Sequence, residues 1–336
     1  MSALLQISGV SKRFTRRANL GERIVHALGG PDATRTVHAL TDVSLSVAKG
    51  EVLGIVGESG CGKSTLGRIV SGIYMPSAGQ VTLDGKPIAR ARGGTAEKLT
   101  TRVQMIHQDP FASLNPRIKV GETLSEGPRH HRIVPRGEVD AMVRDLLGRV
   151  GLEPSYAGRL PHQFSGGQRQ RIAIARALAM RPDLLVLDEA VASLDVSIQA
   201  QVLNLFLDLR QQLGLTALFI SHDLGVVRHV SDRVAIMYLG RVVELAAAER
   251  IYAAPRHPYT QALFTSIPTL GTGRRQFHPI KGEIPSPLDP PPGCAFHPRC
   301  PQAGPRCRIE VPKLAATAAG HEAACHLYTG GVERAA

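Results

Sequence analysis

The sequence predicts an α/β fold built on buried, mainly parallel strands, and three observations predict it. Val52–Val56 is a short apolar run that feeds a glycine-rich turn, Gly57–Thr65, and then a helical pattern. Leu184–Leu187 is a second such run, ending in Asp188-Glu189. A third, through Leu218–Ile220, ends just before His222-Asp223. Continuous apolar runs of this length mark strands covered on both faces, and open α/β sheets place their ligand sites at the ends of such strands.

The totals agree with a globular chain. It has 336 residues, 43% hydrophobic and 20% charged, enough to bury a substantial core in one or two domains. No uninterrupted apolar run approaches the roughly 18–20 residues that span a bilayer. The opening "MSALLQISGV" lacks a basic segment followed by an apolar one, so no secretory signal is expected and the chain is expected to stay in the cytoplasm. The net charge of +12 permits an anionic partner, but charge alone reads as a solvated basic surface. Five cysteines in such a chain argue against a disulfide framework and for a metal or free thiols.

The turn after the first strand reads Gly57-Glu58-Ser59-Gly60-Cys61-Gly62-Lys63-Ser64-Thr65, the spacing G-x-x-x-x-G-K-[ST]. Glycines allow backbone N–H groups to turn inward and approach phosphate oxygens closely. Lys63 is placed to reach the β- and γ-phosphates, Ser64 to offer its hydroxyl to Mg²⁺, and the following helix aims its positive end at the anion. Cys61 lies inside this turn and is set apart from the other cysteines.

The remaining motifs add to this one. At Asp188-Glu189, one acid can serve the Mg²⁺ shell and the next can orient or deprotonate a water. Ser165-Gly166-Gly167-Gln168 opens a helix running to about Met180, with Ser165 as N-cap, and forms a second anion-friendly helix end beside Arg169, Arg171 and Arg176. Gln108 stands at a strand end before a loop broken by Pro110 and Pro116. Ile198, Val202, Leu205, Phe206, Leu209 and Leu213 predict an amphipathic helix stopped by Gly214.

The order and spacing of the glycine-rich loop, Gln108, Ser165–Gln168, Asp188-Glu189, Asp195 and His222 resemble the ATPase subunit of an ABC transporter. The resemblance implies a P-loop (RecA-like) core with a mixed sheet over residues 1–250, and an inserted helical subdomain over about 110–180. It implies ATP and Mg²⁺ as cofactors and two such units packed head to tail. Each ATP then lies between the Lys63 loop of one unit and Ser165–Gln168 of the other. The same pattern assigns Glu189 as general base, Asp188 to the Mg²⁺ side, Gln108 to Mg²⁺ and the attacking water, His222 to the γ-phosphate, and Asp195 to communication across the dimer. Phe14 matches the aromatic that stacks on adenine; a core phenylalanine is the other reading of that position. Two positions depart from the pattern. Ala190 replaces the usual proline after the glutamate, which loosens that turn, and Ala192-Ser193-Leu194-Asp195 replaces S-A-L-D.

After "GRVVELAAAERIY" the composition shifts. Residues 251–336 are proline-rich and too few for a large core of their own. "RHPYTQALFTSIP" and "GEIPSPLDPPPGCAFHPRCP" resemble the C-terminal extension of ATPases serving dipeptide and oligopeptide importers, an extension that nickel importers share. Cys294, Cys300, Cys307 and Cys325, separated by five, six and seventeen residues, suit a structural Zn²⁺ or an iron–sulfur cluster. The resemblance implies a [4Fe-4S] cluster. His297 and His326 lie nearby, and buried free thiols are the alternative. The implied activity is ATP hydrolysis that powers import of dipeptides or oligopeptides at the cytoplasmic face of the inner or plasma membrane. The implied partners are a second, related ATPase, two permeases and an extracytoplasmic solute-binding protein. Two alternatives stand beside it: the same role for nickel or another solute, and a nucleic-acid-associated ATPase of the same family. Each motif occurs once and no coiled-coil insertion is present, so no nucleic acid is expected.

Overall fold

The computed structural model describes residues 3–16, 34–109, 113–265, 280 and 282–328. Strands β1 (Ala3–Arg16) and β2 (Arg35–Ala48) pair antiparallel, with Leu5 opposite Val47 and Phe14 opposite Val37. Leu5, Ile7, Val43, Leu45 and Val47 are buried in alternation with more exposed neighbours, the period-two pattern of a sheet with one face on the core. β3 (Val52–Val56) then enters the interior, and the glycine-rich turn leads into α1 (Lys63–Val70). β4 (Ala78–Leu83) and the two-residue β5 (Lys86–Pro87) complete a four-stranded sheet in the order β2-β1-β4-β5. β6 (Ala89–Arg92) and β7 (Thr95–Lys98) form a separate hairpin.

The second sheet organises the molecule. Among the described residues it has eight strands, in the order β13-β14-β12-β11-β3-β10-β9-β8. Five of them are parallel: β8 (Val103–Ile106), β9 (Leu184–Asp188), β10 (Thr216–Ile220), β3 and β11 (Arg233–Tyr238). β12 (Arg241–Ala247) turns back antiparallel to β11. The three strands expected from the sequence, β3, β9 and β10, are buried at every position and adjacent, as their unbroken apolar runs require.

Between β8 and β9 the chain builds a helical lobe from α2 (Val120–His130), α3 (Val139–Arg149) and α4 (Gly166–Ala179), joined through Leu124, Leu147 and Ile172. α5 (Val196–Leu213) follows β9 and stops at Gly214, whose φ of +61° is the left-handed conformation glycine tolerates. Its buried stripe is Val202, Leu203, Phe206 and Leu209; Val202, Phe206 and Leu209 are where periodicity placed them and Leu205 packs half-buried against the core, while Leu203 also faces inward and Leu213 is exposed. α6 (Leu224–Val230) precedes β11; Asp223 caps it, accepting from the N–H groups of Gly225 and Val226. Among the described residues no helix is long and apolar enough to cross a membrane.

The proline-rich extension does not stand apart from this core. After α7 (Ala248–Ala253) and α8 (Pro258–Thr265), and a short α9 (Pro305–Ile309), it adds β13 (Ala315–Ala318) and β14 (His321–Ala323) to the large sheet, with β14 paired to β12. A buried carboxylate fixes the join. Glu244 on β12 is fully buried and accepts from the backbone N–H groups of Arg256 (2.7 Å) and His257 (2.9 Å), and its Oε1 is 2.6 Å from His321 Nε2. Such a charge is tolerated inside only when its oxygens are satisfied, and all three of these partners come from the extension.

His257 is 1% exposed, and burial pushes its pKa down to about 4. A histidine held neutral by the fold gives stability that is present above its unfolded pKa of about 6.5 and lost as pH falls towards 4. Wild-type protein is therefore expected to lose up to ~3 kcal/mol of stability over that window from this group. The His257→Gln variant should lack that part of the slope in urea unfolding across pH; matching slopes would remove His257 as its source.

Candidate functional site

The site begins with a turn that only glycine can make. Gly62, at φ +105°, precedes α1, and a Cβ there would lie 2.4 Å from the carbonyl oxygen of Ala39. A Cβ on Gly57 would lie 2.2 Å from the carbonyl of Met237. The turn is thus pressed against β2 and β11, while Ser59 and Gly60 remain exposed at its tip. Lys63 is 4% exposed, and its ammonium donates to the carbonyls of Gly57 (2.7 Å) and Glu58 (3.0 Å). Cys61 is buried in the loop, and Thr65 is half-buried on the first turn of α1.

Ser64 Oγ donates to Asp188 Oδ1 at 2.8 Å, joining the start of α1 to the end of β9. Asp188 is 5% exposed. Burial raises its pKa, and the Ser64 hydrogen bond and the Arg68 charge oppose that rise. A cavity of about 310 Å³ opens here, lined by Ser64, Arg68, His107, Gln108 and Asp188. A desolvated carboxylate, a hydroxyl and an amide around one space form an oxygen-rich donor set that suits a hard cation such as Mg²⁺.

Glu189 follows in a left-handed backbone conformation, φ +49°, uncommon for a residue with a side chain and of the kind found at functional sites. Its N–H donates to Ile220 O at the end of β10, and its Oε2 lies 3.4 Å from Nδ1 of the exposed His222. The fold thus brings Lys63, Ser64, Asp188, Glu189, His222 and Gln108 to the ends of neighbouring parallel strands. Ala190 is buried beneath the turn, and Ser193 Oγ reaches Gln108 O at 3.5 Å.

The other sequence-predicted residues lie elsewhere. Ser165, Gly166, Gly167 and Gln168 open α4 in the helical lobe. The Ser165 hydroxyl accepts from the Gln168 N–H, and Gln168 Oε1 accepts from the Ser165 N–H, a reciprocal cap. Gly167 lies against α5, where a Cβ would meet Ile198 Cγ2 at 2.4 Å. Asp195 is exposed at the start of α5. Phe14 is 38% exposed on β1, edge-on to Tyr74 at 5.6 Å and beneath the Lys12 ammonium, so it is not a core phenylalanine.

In the extension, Cys294, Cys300, Cys307 and Cys325 are free thiols, Cys325 buried and the other three half-buried. Burial, reinforced by the other three, pushes Cys325 up to about 11. His297 Nδ1 is 3.0 Å from Cys294 O, and His326 Nε2 is 2.9 Å from Glu310 O, so both rings are engaged with backbone carbonyls. Among the described residues no group of three or more His, Cys, Asp or Glu is arranged to hold a metal ion.

Residues 40–192 match the family model for ABC transporters, and residues 243–307 match that for the C-terminal region of oligopeptide/dipeptide transporters. The oligopeptide transport ATP-binding protein AppF of Bacillus subtilis (strain 168) is 48% identical over 330 residues, covering 97% of this chain and 98% of that protein. The chain belongs to the ABC transporter family. The "Probable peptide ABC transporter ATP-binding protein y4tS" of Sinorhizobium fredii is 49% identical over 326 residues, covering 97% of this chain and 90% of that one. Among solved structures, cbiO1 from Clostridium perfringens, part of the ABC transporter complex cbiONQ, superposes with a TM-score of 0.61 at 30% identity, over 76% of this chain and 92% of its own. The mixed α/β core is accordingly that of an ABC ATPase, an ATP-binding enzyme whose hydrolysis is coupled to transport.

Sequence reasoning missed how the extension reaches the loop. Tyr259 Oη accepts from the Glu58 N–H at 3.0 Å, and Arg299 forms an ion pair with the Glu58 carboxylate. The only signal was the "HPYT" segment, which shows a family likeness but no contact. The glycine constraint is directly testable. Gly62→Ala should lower the melting temperature by several degrees, ~2–4 kcal/mol, and remove nucleotide-induced stabilisation in thermal melts; an unchanged melt with full ATP response would contradict the steric reading.

Proposed function

We infer that the chain binds MgATP at the Lys63 loop and hydrolyses it to power import of dipeptides or oligopeptides. The observation that carries this reading is the likeness along almost the whole chain to peptide-transport ATP-binding proteins, extension included. In this reading Lys63 and the backbone N–H groups of Gly60–Thr65 hold the β- and γ-phosphates, and Phe14 offers its exposed ring to adenine. Ser64, Asp188 and Gln108 would hold Mg²⁺, which when bound neutralises charge on the phosphates. Glu189 takes the proton of the attacking water, and His222, 3.4 Å away, orients towards the γ-phosphate. Ser165–Gln168 of a second ATPase subunit closes over the nucleotide, and Asp195 reports its state across that interface.

The assembly consists of this subunit, a related ATPase as its heterodimer partner, two permeases and an extracytoplasmic solute-binding protein. Through the permeases the subunit sits at the cytoplasmic face of the membrane. Glu189→Gln should retain ATP in filter-binding assays while lowering phosphate release at least about 100-fold; near-normal release would remove Glu189 as base. Uptake assays with the gene deleted and restored test the solute. Restored peptide uptake supports the reading, and restored nickel uptake alone would redirect it.

The extension's four cysteines are its candidate metal staple. Their donor chemistry suits a [4Fe-4S] cluster or Zn²⁺, although as free thiols they are not drawn into a ligand set. Protein purified without oxygen is expected to carry roughly four irons and four sulfides per chain, lost in Cys300→Ser. One zinc would make the staple redox-inert, and metal-free protein would leave the thiols as packing residues.

A further inference from the structure

We propose that Tyr259 and Arg299, both in the C-terminal extension, are positioning residues of the phosphate loop: they fix the Gly57–Glu58 peptide and thereby the ammonium of Lys63. The two residues lie 201 and 241 positions beyond Glu58 yet converge on it. Tyr259 Oη accepts the Glu58 N–H at 3.0 Å. Arg299 donates to both oxygens of the Glu58 carboxylate, from Nη1 at 2.8 Å and Nη2 at 3.2 Å, a forked pair whose arginine side chain is only 5% exposed.

The geometry of one peptide unit gives these contacts their consequence. The Gly57 carbonyl and the Glu58 N–H belong to the same planar, trans amide, so they point in opposite directions. With the N–H held by Tyr259 on one side, the carbonyl is directed to the other, where it accepts from Lys63 Nζ at 2.7 Å. A single hydroxyl in the extension therefore sets the direction of the group that orients the phosphate-binding lysine. The hydroxyl is itself held firmly. Tyr259 is fully buried, and its ring packs against Tyr238 at 4.7 Å and Phe296 at 5.4 Å. The Arg299 guanidinium lies 5.9 Å from the centre of the Tyr238 ring. Tyr238 ends β11, the strand whose Met237 carbonyl presses on Gly57, so the aromatic cluster braces the loop from below. Glu58 is thus gripped at backbone and side chain, and by residues outside the region that matches the ABC transporter model.

The test uses the full-length chain and compares Tyr259→Phe, Arg299→Met and Arg299→Lys with wild type. It follows ATP binding and steady-state hydrolysis, with thermal melts run in parallel. Tyr259→Phe removes one oxygen and leaves the packed ring. It is expected to raise Kd and KM for ATP about three- to tenfold while kcat stays within about twofold, because the catalytic acids are untouched. Arg299→Met should act in the same direction, and Arg299→Lys, which restores the charge but not the fork, should recover part of the loss. If Arg299→Met does not fold, Tyr259→Phe carries the test. ATP affinity within twofold of wild type in Tyr259→Phe would overturn the proposal, and a lowered melting temperature beside it would make the contact a docking contact alone. The proposal rests on the reading of the Lys63 loop as the ATP site. Wild-type ATP binding by Lys63→Ala would sink that reading, an outcome distinct from the failure of the tail contacts.

Discussion

The architecture turns on the backbone of the Gly57–Thr65 turn. Its position at the exit of β3 is enforced by two glycines whose missing Cβ atoms leave room for β2 and β11. Once so placed, the turn has carbonyls facing inward, and the buried Lys63 ammonium lies against two of them rather than in water. A cation as little hydrated as this is available to phosphate only if the loop keeps its shape. The parallel sheet supplies that rigidity. β3, β9 and β10 are adjacent and fully buried, so the residues at and just beyond their ends, Lys63, Asp188-Glu189 and His222, are held at one rim.

Much of this rim was legible in the sequence because its chemistry is local. The glycine-rich turn, the paired acids after an apolar run and the Ser165 cap each declare themselves within a few residues. The stop at Gly214 follows from the same kind of signal, whereas a helical lobe between β8 and β9 was implied by the family resemblance rather than by any local pattern. What the sequence did not disclose depends on contacts between distant segments. The face of α5 is set by what lies beneath it: Leu203 is buried where the periodicity did not place it, and Leu213 is exposed. Phe14 reads equally well as core or surface until β1 is paired with β2. Glu244 looks like an ordinary strand glutamate, yet it is fully buried because the extension brings three donors to it.

The extension is the clearest such case. Proline content and length suggested a tail without a large core, and the structure shows where its order comes from instead. It adds β13 and β14 to the edge of the main sheet, satisfies Glu244, and buries Tyr259 and Phe296 against Tyr238. Its contacts with the Gly57–Thr65 loop, through Glu58, tie the part of the chain that resembles peptide transporters to the part common to ABC ATPases. Changes in the cysteine-rich segment, which contains Arg299, are thereby one side chain from the Lys63 loop.

The central claim is that ATP is received by the backbone of residues 57–65, held in shape from both sides. Hydrogen–deuterium exchange of the full-length chain, with and without MgATP, tests it most directly. Slowed exchange confined mainly to peptides covering 57–65 and the start of α1, at ATP concentrations that saturate binding, is the result the account predicts. Saturated ATP binding with no protection of those peptides would contradict it and place the nucleotide elsewhere.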